Sequence, residues 1–225
     1  MMPMPRCELD HLAITSPTLE AGSDLVYACL GVRPQRGGEH PRMGTHNLLL
    51  RLGEATYLEV IAVDPQATRP PRPRWFALDS LPADAAPRLA CWVARTDDIH
   101  TSLATASEAL GRAEAMSRGS LHWLISIPED GSLPLAGVAP TLIQWQDATH
   151  PAVNLPDLGC SLEALAVLHP EPQRIGALLS SLGFAAGSTQ VSVLESAEAG
   201  LAARIRTPSG WRTLGIPGAF ASDGR

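Results

Sequence analysis

The chain has 225 residues, 45% of them hydrophobic, with a formal net charge of −6 and a mean hydropathy of +0.04. Such a composition can bury a sizeable core in one or two domains, which excludes a disordered segment, and the acidic balance with scattered arginines argues against a nucleic-acid partner. The longest uncharged stretch, 131–146, is too short to span a membrane and holds Pro134 and Pro140, and the first ten residues lack a cationic and then apolar leader, so a soluble, cytoplasmic protein is expected.

In chain order the sequence repeats one layout three times. LDHLAITSPTLEAGSDLVYACLG (9–31), LACWVARTDDIHTSLATASEALG (89–111) and LEALAVLHPEPQRIGALLSSLG (162–183) each run from a short apolar segment through a turn into an amphipathic stretch that stops at Leu-Gly. Each predicts strand, turn, helix and glycine C-cap. Short strand-like segments follow each copy: GVRPQRGG, THNLLLRLG and TYLEVIAV after the first, LHWLISI and TLIQW after the second, TQVSVLE, GLAARIR and WRTL after the third. The unit is βαβββ, and the expected fold class is α+β. Two units form a curled mixed sheet with helices on its convex face and a pocket on its concave face, and a third, partial module packs against them. The boundaries read as 8–63 for the first module, 64–87 for a connector with six prolines, 88–146 for the second module and 155–217 for the third. Within the connector, Trp75 and Phe76 must dock on something apolar: the outer wall of the sheet is the first expectation and the pocket rim the alternative.

Glu59 stands in TYLEVIAV, where an ionised carboxylate among apolar neighbours costs several kcal/mol unless it is paired or metal-bound. Its plain reading is a salt bridge to an arginine such as Arg51, and its functional reading is a metal ligand or proton carrier. His11 in ELDHLAIT shares a strand face with Ala13 and Thr15, opposite Leu12 and Ile14, so the small and polar set should face the cavity. A strand histidine alone is more often structural, yet its partner on the last strand of the same unit is Glu59. Gly44-Thr45-His46-Asn47 marks a strand entrance, where short polar side chains favour local backbone bonds. Alternatively Thr45 and Asn47 touch substrate, with His46 as an extra ligand or proton carrier. Trp123 reads either as cavity lining or as part of a buried strand, and His40, His100, His150 and His169 read as turn or surface residues. Cys7, Cys29, Cys91 and Cys160 are widely spaced with no CxxC, which fits reduced, buried thiols.

The paired units with strand-one His11 and last-strand Glu59 resemble the vicinal oxygen chelate superfamily. More narrowly, HPRMGTHNLLLRLG (40–53), YLEVIAVDP (57–65), PRWFALD (73–79) and LIQW followed by His150-Pro151 resemble its glyoxalase-like domain proteins. That resemblance implies metal ligands drawn from the first and last strands of both units, and aligning the repeats sets His11 against Cys91 and Glu59 near Gln144. His11, Glu59 and Gln144 plus waters would hold Zn, Mn, Fe or Ni, with a Cys91 thiolate favouring zinc and a metal-free pocket as the alternative. The implied function is a small-molecule isomerase or lyase whose metal chelates vicinal substrate oxygens, with Glu59 or His46 moving the proton and Thr45, Asn47, Cys91, Trp75 and Trp123 lining the substrate. The rival reading is a metal-free binding protein that sequesters an apolar small molecule between Trp75, Trp92, Trp123 and Trp145. A homodimer interface built on the third module is compatible with either. No GxSxG, HExxH, Walker loop or GxGxxG before a helix is present, which removes the hydrolase, zincin and nucleotide readings.

Overall fold

A computed structural model describes residues 6–147, 150–184 and 190–220. The first module comprises β1 (Cys7–Thr15), α1 (Leu19–Leu30), β2 (Gln35–His40), β3 (Thr45–Arg51) and β4 (Tyr57–Val63). The second comprises β5 (Arg88–Thr96), α2 (Ile99–Thr105), β6 (Arg112–Arg118), β7 (Leu121–Ile127) and β8 (Thr141–Trp145), and the third β9 (Ser161–His169), α3 (Pro172–Ser181), β10 (Val191–Glu195), β11 (Gly200–Thr207) and β12 (Gly210–Gly215). The fold is α+β.

Strands of the first two modules form one eight-stranded sheet in the order β2-β3-β4-β1-β5-β8-β7-β6. In each module the first strand lies parallel to the last, and the two modules join along the antiparallel pair β1 and β5. The third module keeps the order strand, helix, three strands, but wires it differently: β9 lies between parallel β10 and antiparallel β11, in a separate sheet ordered β10-β9-β11-β12. It cannot extend the first sheet, so it covers it. Leu165, Val167, Leu201 and Ile205 share one buried cluster with Leu12, Ile14, Val26 and Trp92 on the convex side. The opposite face carries a second cluster built from Ala13, Ile61, Cys91, Val93, Trp123, Ile125 and Ile143.

The helix ends follow local chemistry. Thr18 accepts the N–H of Ala21 at the start of α1, and Gly31, left-handed at φ 75°, closes it through a bond from its N–H to the Tyr27 carbonyl. Helix α2 stops at Thr105, short of the expected end at Gly111. The intervening residues are tied to the third module instead: the Ser107 N–H donates to Ser181 Oγ, and Glu108 accepts from Arg174 at 2.6 and 2.9 Å. Gly111, at φ 90°, turns the chain where a Cβ would lie 2.3 Å from the Ile127 carbonyl carbon. The edge strand β6 supplies the third strand expected after α2, in a segment, RAEAMSR, whose lack of clean alternation gives no strand signal.

Gly22 lets α1 approach β4, because a Cβ there would meet Val60 Cγ1 at 2.3 Å. Gly22→Ala gains about 1 kcal/mol of helix propensity but drives a methyl group into a fully buried β-branched side chain, an overpacking cost of about 1–3 kcal/mol. A lower midpoint in urea denaturation is therefore expected, against the direction propensity alone would give.

Candidate functional site

The concave site starts from a fault in a strand. Pairing between β1 and β5 slips between Leu9 and His11, leaving Asp10 as an extra residue. Such a bulge sets neighbouring side chains on one side of the sheet, so Asp10 joins His11. The Asp10 carboxylate is fully buried and accepts from three rings: His11 Nδ1 at 2.6 Å, Trp145 Nε1 at 2.9 Å and His150 Nε2 at 3.0 Å. His150 Nδ1 accepts the Ala152 N–H, which leaves the proton on Nε2 facing Asp10. Burial pushes the Asp10 carboxyl up, but the hydrogen bonds and positive charge of His11 and His150 overcome it and hold the group well below the usual carboxylate range. With Nδ1 turned to Asp10, Nε2 is the His11 nitrogen left facing the chamber.

That nitrogen lies 3.7 Å from Glu59 Oε2. The other Glu59 oxygen accepts from Asn47 Nδ2 at 2.5 Å. Asn47 is oriented in turn, its Oδ1 accepting from the Gly38 N–H at 2.9 Å and from Arg118 Nη1 at 3.2 Å. Arg118 comes from β6 of the other module and also donates to His40 Nε2 at 3.5 Å, so the His40 proton sits on Nδ1, facing Thr45 Oγ1 at 3.2 Å. Two glycines make this crossing possible. A Cβ at Gly37 would lie 2.1 Å from Asn47 Oδ1, and one at Gly38 2.7 Å from Arg118 Cδ.

His11, His40, Tyr57, Glu59, Trp75, Phe76, Arg118, Trp123, Ile125 and Trp145 enclose a chamber of about 20 Å³, room for one water-sized group. Tyr57 stacks on the His11 ring at 4.4 Å. Trp75 and Phe76 therefore face the chamber and not the outer wall, which corrects the first expectation for the connector. Left-handed backbone at Phe76 and Ala77, at φ 57° and 54°, is a conformation costing on the order of 1–3 kcal/mol for non-glycine residues. Trp75 Nε1 is buried with no hydrogen-bond partner, a further cost of about 1–3 kcal/mol unless a bound group accepts it. Outside, a cleft of about 1110 Å³ opens between β2 and β6, lined by Arg36, Arg42 and Arg118.

The residues singled out in the sequence divide accordingly. His11, Glu59, Asn47, Trp75 and Trp123 come together around the chamber, with Thr45 behind His40. Gln144 does not join them: alternation on β8 sends it to the convex side, where its Oε1 accepts the Ile99 N–H at 3.0 Å. The register explains why. Ala13 pairs with Glu59 and its counterpart Val93 pairs with Thr141, so Thr141, not Gln144, occupies the place equivalent to Glu59. His46 lies on the face opposite Thr45 and Asn47, 4.0 Å from Asp64. Burial, and then the Glu59 charge, push the Cys91 thiol far up, so it offers no thiolate. His150, read as a turn residue, and Asp10, not singled out at all, belong to the site. The Asp-His adjacency was the available signal, but plain alternation hides it.

Catalytic zinc takes three protein ligands. Here only His11 Nε2 and Glu59 Oε2 converge, while the Arg118 guanidinium occupies His40 Nε2. Among the described residues no group of three or more His, Cys, Asp or Glu could hold a metal ion. The donor set does not fit the implied metal.

Burial, and then the positive charges of Arg118, His46 and His11, lower the pKa of His40 to about 3. Folded His40 stays neutral while the unfolded residue protonates near 6.5, so its contribution is complete above that value and drains as pH falls towards 3. Between pH 7 and pH 5 the protein should lose ~2 kcal/mol of unfolding free energy that a His40→Asn variant retains, read from urea midpoints at the two pH values.

A family model for the glyoxalase-like domain matches residues 9–183. No curated protein matches the sequence. A hypothetical protein from Staphylococcus aureus is similar in structure with a TM-score of 0.59 at 13% identity, covering 86% of this chain and 87% of its own. Methylmalonyl-CoA epimerase from Mycobacterium tuberculosis reaches 0.41 at 17% identity over 63% of this chain and 88% of its own, and a mutant 4-hydroxymandelate synthase from Streptomyces coelicolor 0.44 at 13% over 94% and 63%. The latter two likenesses are too slight to carry an argument about chemistry. With its paired βαβββ modules and a match over most of its length, the chain belongs to the glyoxalase-like domain family.

Proposed function

We propose that the protein is a small-molecule enzyme of the isomerase or lyase type in which His11 and Glu59 handle the proton. One observation carries the reading: a histidine nitrogen fixed by a buried carboxylate faces a glutamate oxygen across 3.7 Å, beyond hydrogen-bond reach, in a small aromatic-walled chamber. The gap leaves each group free to meet a substrate atom. Glu59 removes a proton from carbon beside a carbonyl. His11, as imidazolium, donates Nε2–H to the oxygen where negative charge develops, and Asp10 stabilises that imidazolium as it does the neutral ring. The aromatic wall of Trp75, Phe76, Trp123 and Trp145 excludes water, which strengthens each of these interactions. No step passes through a metal, because the donor set supplies two ligands and not three.

Proton exchange in deuterium oxide tests the chemistry without requiring the true product. Wild-type protein is incubated with 2-oxoaldehydes, 2-hydroxyketones and 2-oxo acids, and loss of the C–H signal beside the carbonyl is followed by NMR. Exchange should fall by ~10²–10⁴-fold in Glu59→Gln and in His11→Ala. Ligand binding without exchange in the wild type would instead support the sequestering protein.

Metal content gives a second measurement. Protein purified without tag or chelator should carry far less than one divalent ion per chain, and exchange should survive EDTA. About one ion per chain, lost in both His11→Ala and Glu59→Ala, would return the mechanism to metal chelation.

A further inference from the structure

The acid–base pair accounts for the chamber but not for Arg118. Of the three arginines lining the cleft, Arg36 is paired with Glu39 at 3.1 Å and Arg42 with Glu114 at 2.7 Å. Among the described residues Arg118 has no carboxylate partner, and its two hydrogen bonds both leave from Nη1, towards Asn47 and His40. Nη2 and Nε make no hydrogen bond to the described protein. Arg118 lines both the chamber and the cleft, so the residue stands where the two spaces meet. The protein makes room for it deliberately in the backbone: Gly38 is the surface against which its stem lies, at a distance no Cβ would permit.

A second donor points the same way. Trp75 Nε1 is buried and unpartnered in a residue that lines the chamber and is only 4% exposed. A guanidinium with unused donors and an orphaned indole N–H around one small space both call for an acceptor, and the guanidinium calls for an anionic one.

We infer that Arg118 is the anchor for a carboxylate of the substrate, and that the substrate class is small carboxylic acids with the reacting carbon a few bonds from that carboxylate. The span supports the second clause: Asn47 bonds Arg118 with its oxygen and Glu59 with its nitrogen, so anchor and base stand one amide apart. The chamber has room for one water-sized group beside His11 and Glu59, and the rest of the molecule lies in the cleft. This inference rests on the proposed proton-transfer reading for its reacting end, but not for the anchor itself.

Anchor and chemistry separate in one set of titrations. Tryptophan emission and melting temperature are followed at constant ionic strength with acetate, propionate and 2-oxobutyrate, with propionamide as the uncharged match, and with inorganic phosphate. The acids should give a saturable response, strongest for 2-oxobutyrate, which propionamide and phosphate do not reproduce. Arg118→Gln should weaken it at least tenfold; Arg118→Lys, which keeps the charge and loses the fork, should fall between, so a folding defect in the first variant does not decide the matter. Glu59→Gln should still bind the acids while losing exchange; a wild-type protein that binds the acids and exchanges none of them would defeat the chemistry and leave the anchor standing. An equal response to propionamide, tighter binding of phosphate, binding unchanged in Arg118→Gln, or no saturable response to any acid would each overturn the anchor.

Discussion

One buried charge organises the site. Transferring a carboxylate from water into the protein interior costs several kcal/mol, and Asp10 recovers it only because three ring N–H groups reach it together. Those donors come from β1, from the end of β8 and from the segment beginning at His150, so the condition for burying Asp10 is that both modules and the chain leaving the second are in place. His11 is held at the same time in one ring orientation and one tautomer. The aromatic packing of Tyr57, Trp123, Trp145 and His150 around it is what excludes the water that would otherwise solvate the charge.

The two modules repeat in backbone and differ in chemistry. Where the first offers His11 and Glu59, the register of the second offers Cys91 and Thr141, a protonated thiol and a hydroxyl. The second module contributes different things: Trp123 and Trp145 to the wall, and Arg118 across the seam. Under the proposed reading, proton-handling groups come from one half and recognition groups from the other, which gives a site without the two-fold symmetry of its frame.

Much of the frame was legible because it is written in periodicity. The three repeats, the glycine that ends α1, and the facing of Leu12 and Ile14 away from His11 all follow from residue spacing. What escaped has physical causes. Alternation fails at the Asp10 bulge, which depends on pairing with β5 and has no local signature. Gln144 was placed by repeat alignment, but the partner of Glu59 is set by sheet register, three residues earlier. Helix α2 is cut short by ties to α3, and Trp75 turns inward because of backbone at Phe76 and Ala77 that their residue types do not favour. Arg118 belongs to an edge strand with a weak pattern and gains its place only when β6 meets β2.

The cleft and the chamber are made of different kinds of strand. β1 and β4, which carry His11 and Glu59, are buried along almost their whole length, whereas β2 and β6, which line the cleft, are edges with few buried side chains. Substitution on an edge disturbs little packing, while substitution on β1 or β4 disturbs the core itself. The cleft rim can therefore drift in this scaffold at small cost to folding while His11 and Glu59 stay locked in place; if the proposed chemistry holds, that division lets it be handed from substrate to substrate as the rim is rewritten.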